Sequence, residues 1–392
     1  MLCFYYSARK TKPEQEMSVE ADLFVKIYRA AVHGGLHPSS NIIVCPYSIE
    51  HILATLLFGA KDKLREDLMQ LLCSGKRSVE DLRAALSVTN DDGAFSQVNA
   101  IFYSNALTLK PSFKNVISTI SKVVFVPVNF EDAVASRKAY NEFLRDHASV
   151  EMAAVLPESD MVSVLDNENT CLIVVNMLDF SAPWVRQFDE EDTADGVFTC
   201  MNGDKKTVPF LVSAYTTWRS FNVMEKTSST DPQMVIMDAA EKRYSIMLLL
   251  PPDTDGLRAL EDSLTAEQLR TWRQESIPQA MVLSLPKFRI TTKLDLQSCM
   301  LALGLSELYT TVTGFSDMFG SSSLIGVTEF RQSVVFEFDE MGVKSRVATM
   351  FGAEYMCVPI PHFRANRPFL LVVWHNQLDL PLFIGRVMDP TA

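Results

Sequence analysis

The sequence predicts an α+β fold in one domain. Apolar residues recur at helical spacing through the first ninety residues, whereas continuous apolar runs with β-branched centres occur mostly after residue 170. Helices that come first and strands that cluster late are typical of the α+β class and not of an alternating α/β sheet. The 15 glycines and 18 prolines are scattered, and no stretch has the composition of a linker. We therefore expect a single domain over residues 1–392.

Four helices are predicted near the N-terminus. The first has apolar residues three and four positions apart and ends at Gly34, which suits a helix C-cap. The second follows Ser48, a residue type that commonly caps helix N-termini, and ends near Gly59. Leucines at helical spacing over 64–72 predict the third helix. Ser78, which precedes two acidic residues, predicts the start of the fourth.

Apolar runs in the second half predict buried strands. Runs without alternation are typical of strands that are covered on both faces of a sheet. They occupy 171–175, 246–250, 369–374 and 382–384. The last two are separated by a gap of hairpin length that contains polar Asn376-Gln377, which predicts antiparallel pairing.

The charge of the chain argues against nucleic acid as a partner. The formal net charge is −12, and the longest basic run is the short Gly75-Lys76-Arg77, which we interpret as a solvated loop. No apolar run approaches the roughly 20 residues that a membrane-spanning helix needs. We therefore expect no nucleic acid and no membrane as partners.

The signatures of common enzymes, metal sites and cofactor sites are absent from the sequence. It contains no G-x-S-x-G, H-E-x-x-H, G-x-G-x-x-G or P-loop motif, and its six histidines are dispersed. The seven cysteines are odd in number and form no C-x-x-C motif, so neither a disulfide framework nor a zinc site is indicated. We expect free, mostly buried thiols, no cofactor, and a protein that is not an enzyme.

One connection is unusually long. It covers 339–368, between a strand-like run at 333–338 and the run at 369–374, and connections above about 12–15 residues are uncommon unless they are functional or disordered. Small or apolar residues alternate within it with Lys344, Arg346, Ala348 and Met350, which are mostly charged or tolerate exposure, and this is a strand pattern. The alternating residues are Val343, Ser345, Val347, Thr349 and Phe351.

Two interpretations of this pattern stay open. The segment is either an ordinary strand of the sheet or one that pairs only in a second state, after a sheet has opened to accept it. Periodicity alone does not choose between them. In the second case Gly342 is a plausible pivot, because a residue without Cβ tolerates a large change in backbone conformation.

The sequence resembles the serpin family from about Leu23 to Pro390. The matching motifs are Asn41-Ile42-Ile43-Val44-Cys45-Pro46-Tyr47-Ser48-Ile49, Val175-Asn176-Met177 with the downstream Trp184, Phe188, Thr193, Phe198, Val208 and Pro209, then Leu285-Pro286-Lys287-Phe288, Gly304-Leu305, Phe315-Ser316, Phe363-Arg364-Ala365-Asn366-Arg367-Pro368-Phe369 and Phe383-Ile384-Gly385-Arg386-Val387-Met388-Asp389-Pro390. So many ordered matches exclude chance.

The resemblance implies a metastable serpin fold with about nine helices and three β-sheets and an exposed reactive-centre loop. It also implies a serine-type endopeptidase inhibitor that acts as a suicide substrate. The loop would occupy 340–363, and 1–17 would be a flexible N-terminal extension. Glu340-Met341-Gly342-Val343 corresponds to the family's hinge, and the usual spacing from Glu340 implies a reactive bond at Met356-Cys357. Tyr355 is the alternative bait residue if the spacing differs by one, and Phe351 is a further one.

The resemblance and the apolar Met356 together imply the partner. An unbranched apolar side chain suits a serine protease with an apolar specificity pocket, which is chymotrypsin-, elastase- or cathepsin G-like and not trypsin-like. Met356 and Cys357 are also oxidisable, so oxidation would impair recognition. We expect a monomer that needs no heparin-type cofactor, since no basic stripe is present.

The hinge departs from the family pattern. Inhibitory members carry small residues after the hinge threonine, whereas this chain has Val343-Lys344-Ser345-Arg346-Val347. If Val343 faces inward, then Ser345, Val347 and Thr349 do so too, and both cations stay in solvent. This alternation favours an inhibitor over the alternative, a non-inhibitory serpin-like binding or chaperone-type protein whose loop is only a substrate.

A second departure affects the region where the main sheet of a serpin opens. Cys45 stands at the family's first serine, Ser48 and Asn176 match the family pattern, and Gln332 replaces a histidine. Glutamine both donates and accepts, so we expect a hydrogen-bond network of Gln332, Asn176 and Ser48 whose strength and pH dependence differ from those with histidine.

The resemblance favours an extracellular location, since most serpins are extracellular. The sequence shows no signal peptide and no N-x-[ST] acceptor, and its cysteines are odd in number, features that would also suit a cytoplasmic member.

Overall fold

The computed structural model describes residues 14–34, 40–73, 77–86, 94–119, 122–155, 157–167, 170–223, 231–310, 313–320, 325–342 and 360–391. The α-helices within these ranges are α1 (Glu14–His33), α2 (Pro46–Gly59), α3 (Asp62–Leu72), α4 (Val79–Leu86), α5 (Pro111–Ile117), α6 (Ala133–His147), α7 (Val150–Val155), α8 (Val162–Leu165), α9 (Gly256–Ser263), α10 (Ala266–Glu275) and α11 (Gln297–Ala302). The strands are β1 (Ile42–Val44), β2 (Phe95–Ser104), β3 (Val124–Val128), β4 (Leu172–Phe180), β5 (Ala194–Thr199), β6 (Lys205–Phe221), β7 (Gln233–Ala239), β8 (Tyr244–Leu250), β9 (Ile277–Pro286), β10 (Phe288–Asp295), β11 (Val327–Phe338), β12 (His362–Arg364), β13 (Phe369–His375) and β14 (Leu380–Val387).

In the described part of the chain the strands form two hydrogen-bonded sheets. The larger has nine strands in the order β1-β14-β13-β8-β7-β6-β9-β12, with β5 also paired to β6. Within the described residues, one part of this sheet contains β1, β14, β13, β8 and β7, and the other contains β6, β9, β12 and β5. The two parts are joined where 219–221 of β6 pair with 234–236 of β7. The smaller sheet has five strands in the order β10-β11-β4-β2-β3. The predicted α+β class is confirmed. The described strands join into two sheets and not the three expected, because β6 pairs with both β7 and β9. The described residues form eleven α-helices where about nine were expected.

The five-stranded sheet is buried on both faces because its strands alternate. On β4, Val174 and Leu178 belong to the main core, whereas Ile173 and Val175 belong to a second core beneath α6. Tyr140 and other aromatic side chains of α6 fill this second core. A strand that is covered on both faces has apolar side chains at successive positions, which explains why the sequence of β4 does not alternate.

The predicted helices and strands form, with three differences. α2 begins at Pro46 with Cys45 at the N-cap, so Ser48 lies inside the first turn and does not cap the helix. Proline is favoured at the first helical position, where its missing N–H costs nothing. Arg77 is not solvated, because its guanidinium is buried and donates to Glu50 of α2. α1 begins at Glu14, so 14–17 are helical, and residues 1–13 lie outside the described part of the chain.

Several expected features of these elements are observed. Ser78 caps α4, since its hydroxyl accepts from the Asp81 amide at 3.1 Å. β13 and β14 form the predicted antiparallel hairpin. None of the described helices is long and apolar enough to cross a membrane.

Candidate functional site

The candidate site is the line of contact between β4 and β11 at the centre of the five-stranded sheet. These two strands run parallel, whereas each pairs antiparallel with its other neighbour, β2 and β10 respectively. Parallel ladders are slightly less stable per residue than antiparallel ones. Separation of the sheet between β4 and β11 should therefore cost less per residue than separation at either of the neighbouring antiparallel ladders.

A buried polar network crosses this contact. Gln332 of β11 and Asn176 of β4 are opposite each other in the register, and both are fully buried. The Gln332 Nε2 donates to the Asn176 Oδ1 at 2.5 Å. The Asn176 Nδ2 in turn donates to the Ser48 Oγ at 2.5 Å, so the predicted chain of three residues is present.

Gln332 is also hydrogen-bonded to the backbone at the start of α2. Its Oε1 accepts from the Cys45 amide at 2.9 Å, and its Nε2 donates to the Cys45 carbonyl at 3.1 Å. The Cys45 side chain takes no part in these bonds. Burial raises the pKa of this thiol well above its ordinary value, so it stays neutral.

Asn99 of β2 completes the network, and sequence reasoning missed it. Its Oδ1 accepts from the Asn176 Nδ2 at 2.5 Å and from the Ser48 Oγ at 3.3 Å, and the residue is only 5% exposed. Three strands and one helix are therefore tied together by neutral polar groups. An asparagine inside the otherwise apolar stretch 98–102 was the available signal, because buried amides need partners.

At the end of β11 the chain reverses in a tight turn. The Gly342 amide donates to the Asp339 carbonyl at 3.3 Å, and Gly342 has a φ of +83°. A Cβ at this position would lie 2.2 Å from the Trp184 nitrogen and 2.8 Å from the Ala182 oxygen. Glycine is therefore required by the backbone conformation and by the close approach of another chain segment.

Trp184 fixes this turn from the segment that follows β4. Its Nε1 donates to the Asp339 carbonyl at 2.9 Å, and its amide donates to the Met341 carbonyl at 3.3 Å. Its ring packs edge-on against Phe338 with centroids 5.0 Å apart. The end of β11 is thus attached to the end of β4, its parallel neighbour.

Glu340 is held by a separate set of contacts. Its carboxylate accepts from the Lys287 Nζ at 2.7 Å and from the Thr193 Oγ1 at 2.9 Å, and its carbonyl accepts from the Phe188 amide at 2.9 Å. Burial opposes ionisation, but these hydrogen bonds outweigh it and lower the pKa of Glu340. The bond to Glu340 raises the pKa of Lys287.

Asp339 has the opposite shift. Burial raises the pKa of its carboxyl, although the carboxylate accepts the Met341 amide at 3.0 Å. The pKa values of these two adjacent carboxyls are therefore shifted in opposite directions.

The other predicted loop residues lie outside the described part of the chain. These are Val343, Ser345, Val347, Thr349, Phe351, Tyr355, Met356 and Cys357. The chain is described again from Ile360, and β12 then pairs parallel with β9. The described residues of the predicted loop are therefore its two ends.

No group of three or more potential metal ligands occurs within the described ranges. Among the described residues five cysteines form no disulfide: Cys45, Cys73, Cys171, Cys200 and Cys299. Three of these thiols are buried and two are half-buried, as expected for cysteines without a shared site.

Comparison with known proteins confirms the serpin fold that the sequence led us to expect. A family model described as "Serpin (serine protease inhibitor)" matches residues 18–390. A serine protease inhibitor of Cyanea capillata is 24% identical, with 96% of this chain and 99% of that protein covered. Alpha-1-antichymotrypsin of Pongo abelii is 25% identical, with 95% and 88% covered. The crystal structure of mouse protein-Z dependent protease inhibitor has a TM-score of 0.81 at 21% identity, with 96% and 98% covered.

Proposed function

Because this chain belongs to the serpin family, whose family model is described as serine protease inhibitor, we propose that it inhibits a serine protease as a suicide substrate. In this proposal the whole chain is one domain, and 340–363 is the reactive loop. The observation that carries the proposal is the parallel β4–β11 contact, which leads directly into the reversing turn at 339–342.

The turn sets the direction of the segment that follows it. Because Asp339 and Gly342 form an antiparallel bridge, a strand that continues from Gly342 would run antiparallel to β11. Since β4 is parallel to β11, the same strand would also be antiparallel to β4. Insertion between them replaces one parallel ladder by two antiparallel ladders, which is a gain in backbone hydrogen bonding.

The proposed reaction uses the catalytic machinery of the target protease. The protease serine attacks the Met356 carbonyl carbon, the bond to the Cys357 nitrogen breaks, and the Cys357 amine leaves with a proton from the protease histidine. An ester then joins Met356 to the protease serine. The segment 343–356 is freed at its C-terminal end and can enter the sheet.

Insertion would move the captured protease a long way. About fifteen residues at roughly 3.4 Å each span on the order of 50 Å. Each new backbone hydrogen bond contributes a net ~1 kcal/mol, and burial of the inward side chains adds to it. A release of more than about 10 kcal/mol is available to distort the protease active site, and the ester then resists hydrolysis.

The proposed target is a protease with an apolar specificity pocket. The support is the apolar bait residue Met356 and the likeness to a relative named for chymotrypsin inhibition. The inward residues Val343, Ser345, Val347 and Thr349 carry no charge, which supports burial of this face during insertion.

A non-inhibitory role is the second candidate. Lys344 and Arg346 occupy hinge positions where inhibitory relatives carry small residues. They would slow insertion of the loop if their charged side chains contacted the protein while the loop entered the sheet. In that case the protease would hydrolyse the ester before the loop had moved, and the chain would be only a substrate.

Incubation with chymotrypsin tests the proposal. We expect a complex that survives denaturing electrophoresis and, by mass spectrometry, a released peptide that starts at Cys357. Trypsin serves as the matched protease control and should form little complex. Cleavage at Met356 without a complex would overturn the inhibitor proposal and support the substrate role.

A further inference from the structure

An open cavity of about 540 Å³ lies between α1, α3 and the C-terminal end of α11, away from the β4–β11 contact. This volume is within the range of small-molecule sites, roughly 300–1,000 Å³. Its walls are formed by Lys26, Arg29, Ala30 and His33 on α1, Asp67, Gln70 and Leu71 on α3, and 302–304 at the end of α11 and just beyond it.

One wall of the cavity is basic. Lys26, Arg29 and His33 are three and seven positions apart on α1, so they share one face of the helix. Within the described residues the side chains of Lys26 and Arg29 make no hydrogen bond and no ion pair. Two cations without carboxylate partners are notable in a chain whose net charge is −12.

The acidic groups near the cavity are already engaged. The Asp67 carboxylate accepts from the Lys63 Nζ at 2.5 Å. His33 Nε2 lies 3.3 Å from an Asp262 oxygen of α9. Neither carboxylate pairs with Lys26 or Arg29, so the cavity has an excess of positive charge along α1.

The floor of the cavity is apolar. Ala30, Leu71 and Leu303 line it, and all three are half-buried and pack against the main core. A hydrocarbon group placed here would cover these side chains and remove apolar surface from water, which favours binding. The Gln70 amide at the rim can donate to a bound oxygen.

We propose that this cavity binds a small amphipathic organic anion, with a hydrocarbon body on Ala30, Leu71 and Leu303 and a carboxylate paired with Lys26 and Arg29. A carboxylate suits this site because an arginine fork binds it with two parallel hydrogen bonds. The site is separate from the reactive loop, so the proposal does not depend on the proposed inhibition.

Octanoate is the probe for this site, and its binding to the full chain is measured by calorimetry at low salt. We expect saturable binding of about one equivalent. Octan-1-ol, which has the same chain without the charge, should bind at least about fivefold more weakly, and acetate, which has the charge without the chain, should not bind measurably.

Two sets of variants locate the binding. The double variant Lys26→Met/Arg29→Met keeps helix propensity and side-chain length and should weaken octanoate binding about tenfold or more. Ala30→Phe should block the cavity. Lys114→Met, on the exposed face of α5, is the matched control and should bind octanoate like the unmodified chain.

Three results would overturn the proposal: no saturable octanoate binding, equal affinity for octan-1-ol, or unchanged affinity in the Lys26→Met/Arg29→Met variant. Because Lys26 and Arg29 have no described partners, their replacement should leave the thermal midpoint unchanged. The test therefore stays decisive even if Ala30→Phe fails to fold.

Discussion

The side chains of Gln332 and Asn176 are hydrogen-bonded across the parallel β4–β11 contact, with the Gln332 Nε2 2.5 Å from the Asn176 Oδ1. Both residues are fully buried, and neither is ionisable. Separation of the two strands must break this bond and must also release α2 from one of them, because α2 is bonded to Gln332 through Cys45 and to Asn176 through Ser48. The closed sheet is therefore held at its central parallel ladder by neutral polar groups.

Gln332→His should lower the barrier to opening while the fold is retained. The glutamine amide makes three hydrogen bonds with two atoms, whereas an imidazole offers one partner at each of two nitrogens. At least one of the groups that Gln332 now binds, on Cys45 or Asn176, then loses its hydrogen bond. An unpaired buried group of this kind costs the closed state about 1–3 kcal/mol. We expect a lower thermal midpoint and faster loop insertion, measured by circular dichroism and by the rate of complex formation.

A histidine would also introduce pH dependence that the unmodified network lacks. Its charge would change near pH 6.5, where imidazole ordinarily titrates. Gln377→His, in the exposed β13–β14 turn, is the control. Identical melting and insertion behaviour in Gln332→His and the unmodified chain would show that the network does not set the barrier.

Gly342→Ala should destabilise the closed state more than Gly203→Ala. Both glycines have a positive φ, +83° and +85°, so both alanines carry the cost of left-handed backbone, about 1–2 kcal/mol. Only at Gly342 would the new Cβ also meet backbone, 2.2 Å from the Trp184 nitrogen, whereas nothing lies within 4 Å at Gly203. Urea unfolding of both variants measures the difference.

We expect the loss for Gly342→Ala to be at least twice that for Gly203→Ala. Equal losses would mean that the turn at 339–342 has room to move away from Trp184. In that case the close approach would not restrain the hinge.

Glu340→Gln should remove part of the pH dependence of stability. The pKa of Glu340 is lowered below its ordinary value of 4.5, so its charge stabilises the folded state above that pH and ceases to do so as pH falls through the lowered pKa. The raised pKa of Asp339 acts in the opposite sense, since its protonation on acidification favours the folded state.

At pH 7 the expected loss for Glu340→Gln is about 1 kcal/mol, because Lys287 is 41% exposed and solvent screens the ion pair. The gap between variant and unmodified chain should narrow as the pH falls below 4.5 and through the lowered pKa of Glu340, as followed by thermal melting. Glu337→Gln, on the solvent face of β11, is the control. A gap that stays constant with pH would rule out this role for the carboxylate.

Met356→Ala should slow complex formation with chymotrypsin about tenfold to a hundredfold, because burial of a methionine side chain in an apolar pocket contributes about 1.5–3 kcal/mol. Tyr355→Ala and Phe351→Ala should have much smaller effects on the measured association rate. A large loss in Tyr355→Ala with little change in Met356→Ala would move the reactive bond to Tyr355-Met356.

The sequence predicted the elements better than the contacts between them. Helical spacing and buried apolar runs depend on neighbours along the chain, so α1, β4 and the β13–β14 hairpin could be predicted from local pattern. The parallel pairing of β4 with β11 joins residues about 150 positions apart, and no local pattern encodes it.

For the candidate site, too, contacts between elements that are distant in the sequence could not be predicted from local patterns. Ser48 was assigned to a cap from its residue type, but Pro46 set the start of α2 and left the hydroxyl free to accept from Asn176. Asn99 was missed because nothing in β2 alone indicates its partners on other elements. Arg77 was expected in solvent, yet Glu50 provides a buried partner that lies far away in sequence.

The central claim is that the sheet opens between β4 and β11 to receive the loop. The most direct measurement compares the thermal midpoint of the intact chain with that of a chain cleaved after Met356, with both fragments retained. A gain of about 10 kcal/mol, at roughly 2 °C for each kcal/mol, predicts a rise of about 20 °C after cleavage. An unchanged or lower midpoint would contradict insertion.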